Sequence, residues 1–125
     1  MNVNGLVESQ AKEPDIFDMH AGVCGTLANP TRLKILALLA KQERKVGELA
    51  EIIGVSPSNV SQHLAILSSR GLVLARKQAQ TVFYSLADER IIQACTLIRS
   101  VLLDKMKSHG KVALETDPRY AVTVD

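Results

Sequence analysis

KVGELAEIIGVSPSNVSQHLAIL, running from Lys45 to Leu67, decides how the rest of the chain is read. Val46, Leu49, Ala50 and Ile53 recur at i, i+3, i+4 and i+7, which makes one apolar stripe on a short helix. Gly54 ends that helix, because only glycine enters the left-handed C-terminal conformation without a Cβ penalty, and Val55 supplies the hydrophobic contact that often follows. Ser56-Pro57 restarts the chain at once: the serine oxygen satisfies an orphan N–H, and proline at the first helical position has none to satisfy. The second helix, Pro57 to about Ser68, has two faces. Val60, Leu64 and Leu67 point inward, while Ser58, Asn59, Ser61 and Gln62 lie on the early, outward part, which carries no aliphatic side chain. Short hydroxyls and amides let a helix approach base edges and phosphates closely, and Gln or Asn can pair bidentately with adenine. A helix, a glycine turn and a second helix that begins polar form a helix-turn-helix, whose second helix enters a groove of DNA. On spacing alone the competing reading is a plain helical hairpin with a solvated face.

Composition limits the rest. A chain of 125 residues with 46% hydrophobic content supports one packed domain with ragged ends and is too short for two. The net charge of +2 is uninformative, but its distribution is not. Between Arg32 and Lys77 eight Lys and Arg stand against three Glu, whereas residues 1–18 hold one Lys against four acidic residues. Positive charge therefore accompanies the candidate DNA-binding unit, as phosphate neutralisation requires. Cys24 and Cys95 are far apart, no basic leader precedes an apolar run, and no apolar stretch approaches a membrane span. The expectation is a cytoplasmic protein with reduced thiols and no membrane partner.

Outward from the central stretch, residues 1–14 read as a flexible polar arm, 15–110 as one domain and 111–125 as a C-terminal tail. From Asp15 a helical pattern sets Ile16, Met19, His20, Val23, Cys24 and Leu27 on one side; Asn29-Pro30 is again a cap plus proline. The following helix, to about Lys41, is apolar on most sides and must be buried, and residues 42–45 are a charged loop. After Gly71 the period changes to two. Leu72 to Lys77 and Thr81 to Leu86 alternate around a polar turn at Gln78-Ala79-Gln80, predicting a β-hairpin whose tip projects beside the second helix. Arg76, Lys77, Gln80 and Thr81 lie near that tip, within reach of phosphate or the minor groove; a solvated basic hairpin end is the alternative. Asp88 to His109 is the longest helix, with Ile91, Ala94, Cys95, Ile98, Val101, Leu102 and Met106 as one stripe and Ile92, Leu97 and Leu103 outside it. One small domain cannot cover so much apolar surface, so the first and last helices are expected to pack across a twofold axis as a homodimer. The fold class is mainly α with a small β-hairpin wing (α+β).

Several segments carry a family resemblance. Leu27-Ala28-Asn29-Pro30-Thr31-Arg32-Leu33-Lys34-Ile35-Leu36, Gly47-Glu48-Leu49-Ala50, Ser58-Asn59-Val60-Ser61-Gln62-His63-Leu64 with Leu67, Gly71-Leu72-Val73 and Phe83-Tyr84-Ser85-Leu86 resemble the ArsR/SmtB family of winged helix-turn-helix repressors. The likeness runs from about Leu27 to Leu103, and Ser61-Gln62-His63-Leu64 is its most specific element. It implies a homodimer that binds operator DNA and is released by an effector. It also implies that Ser58, Asn59, Ser61, Gln62 and His63 face DNA, with Ser56 at the head of their helix, and that the hairpin is the wing. His63 sits at the boundary of that helix, where it either donates to a phosphate or ties up core polar groups.

The family's sensor patterns are not matched. The helix at Glu48 to Glu51 has no cysteine, and the last helix has no histidine before His109. Ala37 and Leu103 occupy the places where sulfide-sensing relatives carry cysteine. What remains is local: His20 and Cys24 are neighbours at i, i+4, and Cys95 lies on a helix expected to pack nearby. Two thiolates and an imidazole suit a soft metal ion or arsenite; two thiols alone suit a disulfide or polysulfide bridge; and two buried core cysteines would sense nothing. No cofactor is certain. Catalysis is not expected, since no third group orients Cys24 with His20. A winged helix used only for protein contacts, or a DNA-binding regulator without a sensor, is the alternative.

Overall fold

The computed structural model describes residue 13, residues 15–108 and residues 117–120. At its centre lies α2 (Pro30–Leu39), in which five consecutive residues from Ile35 to Leu39 are each no more than 4% exposed. A helix apolar all round has to be enclosed. It is enclosed by α1 (Ile16–Leu27), α3 (Val46–Ile53), α4 (Pro57–Ser69), the strand β2 (Thr81–Leu86) and α5 (Glu89–Ser108), all of which pack on it. The first and last helices, expected to pack on one another, therefore lean chiefly on α2 within one chain. No helix among the described residues is long and apolar enough to cross a membrane. Apart from residue 13, the arm read at residues 1–14 lies outside the described residues, as do residues 109–116 and 121–125, which take in most of the segment read as a tail.

Local chemistry sets the helix ends. Asp15 Oδ1 accepts from the Asp18 N–H at 2.8 Å and Asp18 Oδ2 from the Asp15 N–H at 3.1 Å, a reciprocal box at the head of α1. Asn29 Oδ1 accepts from Arg32 N–H at 3.0 Å ahead of α2, and Ser56 Oγ from Asn59 N–H at 3.1 Å ahead of α4. Gly54 closes α3 at φ 87°, donating to the Ala50 carbonyl at 2.8 Å, so the turn between α3 and α4 depends on a conformation costly for any side chain.

The antiparallel pair β1 (Val73–Gln78) and β2 runs from Val73 opposite Leu86 to Gln78 opposite Thr81. The turn is thus Ala79-Gln80 alone, one residue shorter than expected, with Ala79 at φ 58° as primed two-residue turns demand. Val73, Tyr84 and Leu86 turn to the core. Residues 42–45 are more than a loop. Arg44 exchanges hydrogen bonds with Tyr84, N–H to carbonyl at 3.1 and 2.9 Å, and so pairs the second edge of β2.

The phase of α5 differs from the expectation. Ile92 and Cys95 are buried, and Leu103 and Met106 are half-buried, whereas Leu97, Ile98, Val101 and Leu102 are 54–62% exposed. The predicted stripe mixed two faces, because this helix is apolar toward α2 and again toward solvent. The segment read as a tail also contributes structure: Pro118–Tyr120 forms a 3-10 turn, with Lys41 Nζ on the Pro118 carbonyl at 2.8 Å and Tyr120 against the core.

Candidate nucleic-acid interface

α4 is seated by Val60, Leu64 and Leu67, each with no exposed surface, which fixes its rotation. The opposite side presents Ser56, Ser58, Ser61 and Gln62 to solvent. No acidic side chain lies on this helix, so its amino end, with positive partial charge, is open to an anion. Two of the expected residues are less available than the sequence suggested. Ser56 Oγ is spent on the cap and lies 3.3 Å from Ser58 Oγ. Asn59 is half-buried, and its Oδ1 is enclosed without a hydrogen-bond partner. An enclosed amide oxygen without a donor is an unmet acceptor, which a small reorientation of the side chain would bring to the surface.

His63 is engaged from behind. Arg32 Nε–H donates to His63 Nδ1 at 3.1 Å, while Arg32 NH1 donates to the Thr26 carbonyl at 3.0 Å. Burial, and then the Arg32 charge, hold the imidazole below the usual histidine range. The neutral ring accepts at Nδ1, which puts its proton on Nε2, the donor that remains for another partner.

On the hairpin, Lys77 and Gln80 are exposed and Thr81 is half-buried. Arg76 is not free. Its Nε and NH2 donate to the two Glu43 carboxylate oxygens at 3.0 and 2.8 Å, NH1 donates to Gln78 Oε1 at 2.7 Å, and its guanidinium lies 4.8 Å from the centre of the Phe83 ring. The hydrogen-bonded Arg76 lowers the Glu43 carboxyl pKa, and Glu43 raises that of Arg76. The sequence reading missed Arg32 and Glu43 as partners of the interface. Their mates lie 31 and 33 positions away, beyond any local pattern.

The cysteines are divided: Cys24 is exposed and Cys95 buried, which corrects the reading of Cys24 as core or as part of a buried stripe. The first helix leaves that side uncovered in the single chain. Burial pushes the Cys95 thiol up, Arg99 pulls it down, and the Cys24 charge, close enough to act, adds an upward push. His20 does not complete a metal set. Among the described residues no group of three or more His, Cys, Asp or Glu is placed to hold an ion, so the donors expected for a soft metal or arsenite are not gathered within one chain.

Residues 29–74 match the model of the bacterial regulatory protein, arsR family. The chain is 42% identical to nodulation protein NolR of Rhizobium meliloti over 76 residues, which is 61% of this chain and 62% of that protein, under two thirds of its length. It is 38% identical over 88 residues to the uncharacterized HTH-type transcriptional regulator Rv0081 of Mycobacterium tuberculosis, covering 70% of this chain and 77% of the other. The crystal structure of that regulator superposes with a TM-score of 0.68 at 35% identity, over 78% of this chain and 98% of its own. The homodimeric winged helix-turn-helix DNA-binding domain of a possible ArsR-family regulator from Mycobacterium bovis gives a TM-score of 0.66 at 35% identity, over 79% and 94%.

Proposed function

The chain belongs to the arsR family of bacterial regulatory proteins, DNA-binding transcriptional regulators rather than enzymes, and from that premise we propose that it represses transcription in the cytoplasm as a homodimer on operator DNA. One observation carries the reading: with Val60, Leu64 and Leu67 seated in the core, the first two turns of α4 present the hydroxyl and amide groups of Ser58, Ser61 and Gln62 to solvent beside the helix N-terminus. Ser58, Ser61 and Gln62 meet base edges and phosphates there, with Nε2 of His63, while Lys77, Gln80 and Thr81 on the hairpin reach the flanking backbone. Pairing is supported by an unshielded face. Ile16, Phe17 and Met19 on α1 are 57–75% exposed, and Ile98, Val101 and Leu102 extend a second apolar strip along α5.

Gel-shift titration on the DNA upstream of the gene tests the reading. Affinity is expected to fall linearly with salt in log–log form, and Gln62→Ala is expected to weaken specific binding by roughly 5–100-fold. A flat salt response with unchanged Gln62→Ala affinity would instead favour a winged helix used for protein contacts. Val101→Glu is expected to give a monomer by sedimentation that has lost operator affinity; a persistent dimer overturns the proposed pairing.

For the effector, the charge of Cys24 acts on the buried Cys95 thiol while no third donor joins them among the described residues, which supports a thiol switch over a metal site. A peroxide takes two electrons and two protons from the thiols as their S–S bond forms, and is itself reduced to water. The exposed Cys24 sulfur attacks the peroxide first, becoming a sulfenic acid as one water leaves, and the buried Cys95 thiol then displaces the second water as the S–S bond forms. Oxidant-dependent operator release that survives in both Cys24→Ser and Cys95→Ser would discard this switch.

A further inference from the structure

A groove of about 400 Å³, open to solvent, lies between α2, α5 and the Pro118–Tyr120 turn, and no residue of the DNA-facing surface lines it. Leu33 and Ala37 of α2, Leu103 and Met106 of α5, and Tyr120 make its apolar walls. Its size falls within the range that holds small organic ligands. Charge on the lining is mostly positive. Arg99, half-buried, makes one hydrogen bond among the described residues, a long 3.4 Å contact to Thr96 Oγ1, so most of its donors are unused. Lys34 holds its ammonium 5.7 Å from the centre of the Tyr120 ring. Asp117, the acidic residue of the lining, is already gripped by Arg119 at 2.6 Å. An aliphatic and aromatic groove beside an unfilled guanidinium fork is complementary to a molecule with an apolar body and one carboxylate.

We propose that this groove binds a small amphipathic carboxylate, its chain or ring against Leu33, Leu103 and Met106 and its carboxylate on Arg99. Lys34 adds attraction at the rim. The site is read from the protein alone and stands or falls without DNA, so its failure would leave the regulator reading untouched. The competing occupant is a second copy of the chain, which the test separates from a small ligand.

Calorimetric titration of the full-length protein with decanoate and with 1-decanol tests this. Saturable binding of one decanoate per chain is expected, with the alcohol weaker by at least about tenfold because it cannot accept the charged fork. Arg99→Gln is expected to reduce decanoate affinity about tenfold and leave the alcohol unchanged, and Arg99→Lys to fall between. Met106→Trp, which fills the groove, is expected to abolish the binding of either probe. Absence of saturable binding would overturn the proposal. A decanoate affinity that weakens as protein concentration rises would give the groove to a second copy, with the same result. So would equal affinity for acid and alcohol in the unmodified protein, an outcome that needs no variant to fold.

Discussion

Replacing Glu43 by Gln should tighten the hold on DNA and make it more salt-sensitive. In the free protein both oxygens of the Glu43 carboxylate occupy the Arg76 fork, in an exposed pair whose side chains are 48% (Arg76) and 39% (Glu43) exposed. A guanidinium held that way gives up a carboxylate before it can neutralise a phosphate. Glu43→Gln keeps the shape, removes the competing charge and frees one cation per protomer, or two per dimer. Each added phosphate contact steepens the log–log salt dependence by about 0.9, so the slope should grow by about 1.8. Between 50 and 200 mM salt the variant should then lose about twelvefold more affinity than the parent, having begun with the tighter complex. Fluorescence anisotropy on a labelled operator at four salt concentrations measures this directly. The double variant Glu43→Gln/Arg76→Gln should remove the added slope. If Glu43→Gln leaves the slope unchanged, or the double variant keeps the steeper one, Arg76 does not touch phosphate and the hairpin contacts must be reassigned.

Three further outcomes concern the scaffold. Leu64→Ala should cost roughly 2–5 kcal/mol, since Leu64 has no exposed surface, whereas Ile66→Ala, at a site 38% exposed, should cost under about 1 kcal/mol. For a domain of this size the first should lower the melting temperature by about 10 °C or more at fixed protein concentration, and equal melts would mean that α4 is wrongly rotated. His63 titrates below its ordinary 6.5 in the fold, so the unfolded chain takes up its proton first. The contribution is complete above about pH 6.5 and is lost as pH falls through the lowered folded value; urea melts at pH 7.5 and 5.5 should show that loss, and His63→Gln should flatten it. Gly54→Ala meets no atom within 4 Å, so its cost should be that of the left-handed backbone alone, roughly 1–2 kcal/mol by urea melt; no change would place the turn in another conformation.

Elements announced by local chemistry were legible. Asn29-Pro30, Gly54 and Ser56-Pro57 each name a helix boundary through one backbone requirement, and the structure puts the caps at those residues. The hairpin followed from alternation. What stayed hidden depends on partners remote in sequence. Arg44 as a strand-like bridge to Tyr84, Glu43 on Arg76 and Arg32 on His63 all join residues more than thirty positions apart. The phase of α5 misled for another reason: apolar residues on two faces sum to a stripe that points between them, and only the position of α2 shows that Ile92 and Cys95 turn inward. Of the candidate site, the outward position of Ser58, Ser61 and Gln62 was readable from period alone. The half-enclosed Asn59 was not, because it borders the seated face of the same helix.

Arg32 carries a mechanical consequence. One planar group is anchored at the last turn of α1 through Thr26 and at α4 through His63, with contacts of 3.0 and 3.1 Å and no slack between them. Such a group behaves as a gear tooth between the outer helix and the helix bearing Gln62. A roll of α1 that carries the Thr26 carbonyl off by about 1 Å must either drag α4 with it or let go of the imidazole, because hydrogen bonds of this kind fail quickly with distance. Since Cys24 stands two residues before Thr26, chemistry at that sulfur acts at the near end of the linkage.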